Sequence, residues 1–373
     1  MQPSPTSPMP DCRKYGQYYI IPASDPLPAT IDLLTFDSNV VVDIARHFYR
    51  DPGFSRHRME DLLSLLIDLP AMKDGHGKSS PAHDFWLGVA ESARTSWFCA
   101  PDELRYRRNN HAMAVSLTWT PAQWKRKLGS RYPPANGYCL PEITVPKDSA
   151  SSIKIDYVSL LKMRQVLSAT QGRGKDWGYR LTKYIEWANW CNRELQYISG
   201  YALQIAVDLF LGSGPTKEYT AKLLHMGAGN ESIEAVQKQC WNTACDIVFL
   251  RQSDRYAFGG LRLSGQTRSH ARTVLISGDK GLVGLRKRTW SLTSQQNTHG
   301  RTIPINLINH SDHPGALHDL PRFEATMREL FLEQQRRVTV HSLSIEDSLV
   351  KLAKVAETLE QDSTTPSPRI VTL

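Results

Sequence analysis

Three aspartates stand in short apolar settings far apart in the chain. Asp37 follows Ile31-Asp-Leu-Leu-Thr-Phe, Asp246 lies within Cys245-Asp-Ile, and Asp279 follows Thr273-Val-Leu-Ile-Ser-Gly. A carboxylate in such surroundings is costly unless a cation or dense hydrogen bonding compensates it. The runs before Asp37 and Asp279 read as short buried strands, and each acid comes at the carboxyl end. In open parallel sheets, ligands bind outside that end of the strands. Two acids placed there predict a shared cation site, because clustered carboxylates cannot all ionise without a counter-charge. Sites built from oxygen alone select hard divalent cations. Such ions activate water and stabilise a leaving oxygen, which is the chemistry of phosphodiester hydrolysis.

The elements that must position these acids follow from apolar spacing. A strand at about 31–37 leads into a helix through Val41-Val-Asp-Ile-Ala-Arg-His-Phe-Tyr, and Met59–Leu69 and Phe85–Thr95 read as further helices. Helical runs at Pro121–Leu128, Tyr157–Ala169 and Tyr179–Leu211 fill a Trp-rich middle region. Ile233, Val236, Cys240, Ala244, Ile247 and Val248 recur near helical spacing around Asp246. Thr273–Ser277 and Ile303–Ile308 read as strands, and Pro321–Arg336 and Ile345–Leu359 as closing helices. Strand–helix alternation predicts an α/β class. The expected organisation is a loose Pro/Ser-rich arm at 1–28, an α/β domain from 29–99 and 200–310, and a helical insertion at 100–199. C-terminal helices at 311–361 and a loose tail at 362–373 complete it.

The order of three motifs resembles the PIN-domain nucleases: Asp37-Ser-Asn after the first strand, Ala244-Cys-Asp-Ile on a helix, and Ser277-Gly-Asp-Lys-Gly-Leu ending a strand. The match is confined to about 31–50, 236–250 and 272–286. The resemblance implies a PIN-like three-layer fold with a central, mostly parallel sheet, and acids that bind Mg²⁺ or Mn²⁺ at its carboxyl edge. By that pattern Asp37 is the first acid, Asp246 the third and Asp279 the fourth, and Asn39 steadies the first by hydrogen bonding. The second acid is Glu91, in Trp86-Leu-Gly-Val-Ala-Glu-Ser, or Asp208, in Ala206-Val-Asp-Leu-Phe-Leu-Gly; order along the chain favours Glu91. The implied activity is that of a metal-dependent endonuclease acting on RNA in preference to single-stranded DNA. The alternative is a catalytically inactive PIN-like module for RNA binding or assembly. A haloacid-dehalogenase phosphatase also begins with a strand-end Asp, but it wants a second Asp where Asn39 stands.

Composition agrees with an anionic partner. The chain has 373 residues with 45 Lys and Arg against 37 Asp and Glu, a formal charge of +8. Arg268, Arg272, Lys280, Arg286, Lys287 and Arg288 flank Asp279 in sequence, where cations would hold a polynucleotide backbone. The six cysteines form no CxxC pair and no zinc spacing. Gln171-Gly-Arg-Gly-Lys-Asp lacks the spacing of a phosphate-binding loop and reads as an exposed turn. His310, His313 and His318 read as members of a solvated loop. No apolar run is long enough to span a bilayer, and Met1–Pro10 lacks the regions of a signal peptide, so no membrane partner and a cytoplasmic location are expected. Homo-oligomerisation is left open.

Overall fold

In the computed structural model of the protein, the described residues are 12–23, 27–28, 30–69, 82–94, 99–129, 151–168, 170, 176–223, 232–259, 261–263, 266–268, 271–296, 302–340 and 352–360. The chain begins with β1 (Arg13–Tyr15), β2 (Tyr18–Pro22), β3 (Leu33–Phe36), α1 (Ser38–Tyr49), α2 (Arg56–Asp68), β4 (Ala82–Asp84), α3 (Trp86–Ser92), α4 (Glu103–Ser116) and α5 (Pro121–Gly129). It continues through α6 (Ser151–Ser168), α7 (Trp177–Trp190), α8 (Gly200–Ala206), α9 (Gly214–Leu223) and α10 (Ile233–Gly259). It closes with β5 (Leu261–Leu263), β6 (Gln266–Arg268), β7 (Thr273–Ser277), α11 (Lys280–Arg288), β8 (Thr289–Gln296), β9 (Thr302–Ile308), α12 (Pro314–His318) and α13 (Leu320–Val340). A further helical stretch covers 352–360. The fold is mixed α/β and mostly helical. Residues 70–81, 171–175, the 345–351 part of the expected last helix and the segment from 361 lie outside the described residues.

Two compact units divide the chain. The first holds residues 1–149, 249–294 and 302–304; the second holds 150–248, 295–301 and 305–373. These bounds differ from the expected domain pattern. Residues 100–129 are part of the first unit, where α4 packs on α1 and α3, and α5 on α2. Residues 200–248 belong instead to the second unit, which therefore takes in Asp208 and Asp246.

The first unit is built on a five-stranded sheet in the order β1-β2-β7-β3-β4. β3 runs parallel to both β4 and β7, while the β1–β2 hairpin adds antiparallel strands beside β7. The parallel part is thus three strands wide. Leu33, Leu34, Thr35 and Phe36 are all buried, as are Val274, Leu275 and Ile276. Continuous burial on both faces is the mark of a parallel strand covered on each side. The hairpin overturns part of the expected loose arm: Gly16, at φ 56°, makes the turn, and Tyr18, Ile20 and Ile21 enter the core. Among the described residues, β9 pairs with β8 in a separate two-stranded sheet.

The helices of the second unit follow the expected segments with one break. The run expected at Tyr179–Leu211 is split after a π-helical turn at Cys191–Leu195, because Gln196 takes a left-handed φ of 58°. Ser199 then caps α8 by accepting from the Ala202 N–H.

Tight packing at one glycine decides where α3 lies. A Cβ at Gly88 would stand 2.5 Å from the Phe36 carbonyl oxygen and 2.9 Å from Val41 Cγ2. The helix backbone therefore rests directly on the corner between β3 and α1, and Glu91 follows one turn later on that helix. Gly88→Ala is expected to lower stability by roughly 1–3 kcal/mol through overpacking. Chemical denaturation measures this, and an unshifted midpoint would show that the close approach is not a constraint.

Candidate acidic site at the ends of β3 and β7

Register places the site. In the parallel β3–β7 pair, Phe36 stands opposite Ile276, and the Asp37 N–H donates to the Ile276 carbonyl at 3.0 Å. Asp37 and Ser277 are therefore level at the carboxyl edge of the sheet. Asp37 is 1 % exposed. Its Oδ2 accepts from Asn39 Nδ2 and from Ser277 Oγ, both at 2.5 Å, and Ser38 Oγ lies 3.3 Å from its Oδ1. Asn39 does double duty, since its Oδ1 accepts from the Gly278 N–H at 2.7 Å. One side chain at the start of α1 thus ties the end of β3 to the loop after β7. Ser277 Oγ also accepts from the Asp279 N–H at 2.8 Å, and Asp279 caps α11 through the Gly281 N–H.

Glu91 joins these two acids from α3. The side chain is partly buried, yet its Oε2 is out of reach of solvent and has no hydrogen-bond partner among the described residues. Burial raises its pKa well above the usual carboxylate range, and the negative charges of Asp37 and Asp279 raise it further, against a hydrogen bond from Ser38. Asp37 is pushed up to about 6, first by burial and then by the charge of Asp279, while the Ser277 and Asn39 hydrogen bonds oppose the shift. The charge of Asp279 thus reaches Asp37, and the charges of Asp37 and Asp279 both reach Glu91.

The remaining predicted acids belong to the second unit. Asp208 is fully buried in the second unit, on a π-helical turn at Val207–Leu211. Gln204 Nε2 donates to it at 2.9 Å and Thr220 Oγ1 at 2.8 Å, and His313 Nε2 stands 2.8 Å from its Oδ1. Its carboxylate is occupied in holding that unit together. His313, expected in a solvated loop, is its buried partner. Asp246 is 7 % exposed on α10, among the residues assigned to the second unit. Within the first unit, the acids brought together are Asp37, Glu91 and Asp279.

The basic residues near Asp279 divide in the same way. Arg286 is 1 % exposed; it pairs with Asp254 and donates to the Pro22 and Ala23 carbonyls, so it builds the fold. Arg272 is held by Asp32 through contacts of 2.7–2.9 Å. Lys280 and Lys287 are exposed on α11. Sequence reasoning did not single out Asp84, which ends β4 beside β3 but is taken up by Gln252 and Tyr256. It also passed over Arg58, whose Nη2 comes 3.6 Å from where a Cβ on Gly278 would lie.

Among the described residues, no group of three or more His, Cys, Asp or Glu side chains is arranged to coordinate a metal ion. The donor chemistry nonetheless fits a hard divalent cation: the ligand atoms are all oxygens, the charge is in surplus, and one buried oxygen lacks a donor. No protein-family model matches the chain, and no curated protein or solved structure matches it either. No described helix is long and apolar enough to cross a membrane.

The raised pKa of Asp37 has a definite sign for stability. The folded state holds a proton on this group up to about pH 6, whereas the ordinary value is 3.8. Its contribution is fully present below about pH 4 and is lost as pH rises through about 6, a change of about 3 kcal/mol in the ion-free protein. Asp37→Asn cannot lose a proton there. Its stability relative to the unmodified chain should therefore climb by that order between pH 4 and pH 7 in EDTA. Thermal melts across that window check this; a difference that stays flat contradicts the burial of the charge.

Proposed function

We propose that this chain is a metal-dependent nuclease of the PIN type that hydrolyses phosphodiester bonds in RNA. The observation that carries the reading is the gathering of Asp37, Glu91 and Asp279 from three elements at the carboxyl edge of parallel strands, with a buried Glu91 oxygen left without a donor. In this reading β7, β3 and β4 are the parallel centre of the PIN-like sheet. Asp37, Glu91 and Asp279 would hold Mg²⁺ or Mn²⁺; Asp208 has no part, and Asp246 is assigned none. When bound, the ion supplies a water of lowered pKa and charge stabilisation for the leaving oxygen.

The chain's own side chains do the rest. Asn39 and Ser277 orient Asp37 and tie its strand end to the Asp279 loop. Glu91, raised well above the usual carboxylate range, and Asp37 below about pH 6 would give up protons when a cation arrives, so ion uptake would release protons. The excess of basic residues draws a polyanion.

One observation favours a second reading, that of an inactive PIN-like RNA-binding or assembly module: no ready three-ligand set stands among the described residues. The two separate on one experiment. With Mn²⁺ or Mg²⁺ the purified protein should cleave single-stranded RNA, and Asp37→Asn or Glu91→Gln should slow cleavage by about 10²–10³-fold, the equivalent of several kcal/mol of transition-state stabilisation. RNA binding that is unchanged by divalent ions, with no cleavage, establishes the module instead.

A further inference from the structure

We propose that Arg58 is the phosphate-positioning residue of the acidic site, presenting a fixed guanidinium to the backbone of a single-stranded RNA. This rests on the nuclease reading for the identity of the substrate, though not for the presence of the cation.

The placement follows from three constraints. Arg58 is the third residue of α2, and the Ser55 side chain that caps this helix accepts from the Arg58 N–H at 3.3 Å. Its Nη2 then meets Asp43 Oδ2 at 2.6 Å, while its guanidinium carbon lies 5.6 Å from the centre of the Tyr18 ring. Tyr18 also donates its hydroxyl to Asp43 Oδ2 at 2.6 Å. Burial, and then the Asp43 charge, push the Tyr18 pKa far up, so the phenol remains a donor. The guanidinium is therefore fixed by a capped helix, a carboxylate and a ring.

That fixed cation borders the acids. A Cβ on Gly278 would sit 3.6 Å from Arg58 Nη2 and 3.0 Å from Asn39 Oδ1. Gly278 directly precedes Asp279, and Asn39 is bonded to Asp37. The side chain keeps 33 % of its surface exposed; its Nε is closed off from solvent, and the contact to Asp43 is made through Nη2. Asp43 thus leaves donor capacity unspent on a planar, always-charged group. Guanidinium groups match phosphate oxygens in geometry as well as charge. Three carboxylates alone repel a polyanion, and a cation at their rim gives the strand a place to rest. Of the arginines near Asp279 in sequence, Arg286 is consumed by the core, and Arg272 stands before the amino end of β7, opposite the edge that carries the acids.

The test is binding of a fluorescein-labelled, mixed-sequence single-stranded RNA, followed by anisotropy in EDTA over a series of salt concentrations. Arg58→Ala should weaken binding by about tenfold and lower the slope of log affinity against log salt by about 0.7, the value of one lost phosphate contact on a single strand. Arg58→Lys should keep the slope and lose only part of the affinity. A merely structural Arg58 would shift the thermal midpoint and leave the slope alone, and that result overturns the proposal. Absence of RNA binding by the unmodified protein overturns it too. Failure of the nuclease reading shows separately, as a calorimetric Mn²⁺ titration that is absent or indifferent to Asp37→Asn.

Discussion

Burial of the Asp37 carboxylate constrains most of what surrounds it. A carboxylate removed from water must be repaid with donors, and here they come from both sides of a strand pair. Asn39 and Ser38 belong to the start of α1, and Ser277 to the end of β7. The donors therefore hold a particular register, with Phe36 opposite Ile276. A slip of one residue would send every side chain of the strand to the other face and carry Ser277 away from Asp37. The same network fixes Gly278 and the Asp279 loop through Asn39, and α3 closes on the corner because Gly88 has no side chain. Fold and site are in this respect one arrangement.

Sequence revealed those parts of the arrangement that local pattern controls. The runs before Asp37 and Asp279 are strands, and Val40, Val41 and Ile44 give α1 its buried side as their spacing implies. Pattern failed where the deciding partner is distant. Tyr18, Ile20 and Ile21 follow a Pro- and Ser-rich stretch, and the β1–β2 hairpin they belong to joins the sheet through β7, more than two hundred residues on. Asp208 carries the spacing Asp-x-x-x-Gly, yet a hydrogen-bond partner 105 residues away, His313, shows that its carboxylate serves packing. Residues 100–129 read as the start of an insertion because nothing local shows that α4 lies on α1.

Cations teach the same lesson more sharply. Arg286 and Arg272 flank Asp279 in sequence and invite a role in substrate binding. A guanidinium has five donors, and in a core it is valuable as a staple for carbonyls and carboxylates. Arg286 spends its donors on Asp254, Pro22 and Ala23, and Arg272 on Asp32 and Thr30. Arg58 lies far from Asp279 along the chain, but the first turn of α2 brings its Nη2 within 3.6 Å of where a Cβ on Gly278 would stand. Proximity in sequence to an acid is a poor guide to which cation stands beside it.

The two aspartates at the strand ends also differ in what they do for their helices, and this bears on whether they are more than caps. Asp279 caps α11 through the Gly281 N–H, so one of its oxygens is employed locally. Asp37 occupies the equivalent position before α1 but makes no side-chain capping bond. An ordinary cap would gain about 1 kcal/mol by turning its carboxylate to the free N–H groups of the helix. Asp37 turns instead chiefly to Ser277 and Asn39, and burial and charge raise its pKa to about 6. Like charges about 4 Å apart near a protein surface repel by about 4 kcal/mol, so ionised carboxylates without a counter-ion would not draw into a tight cage. In the proposed reading a bound cation would relieve that repulsion and repay the burial of Asp37.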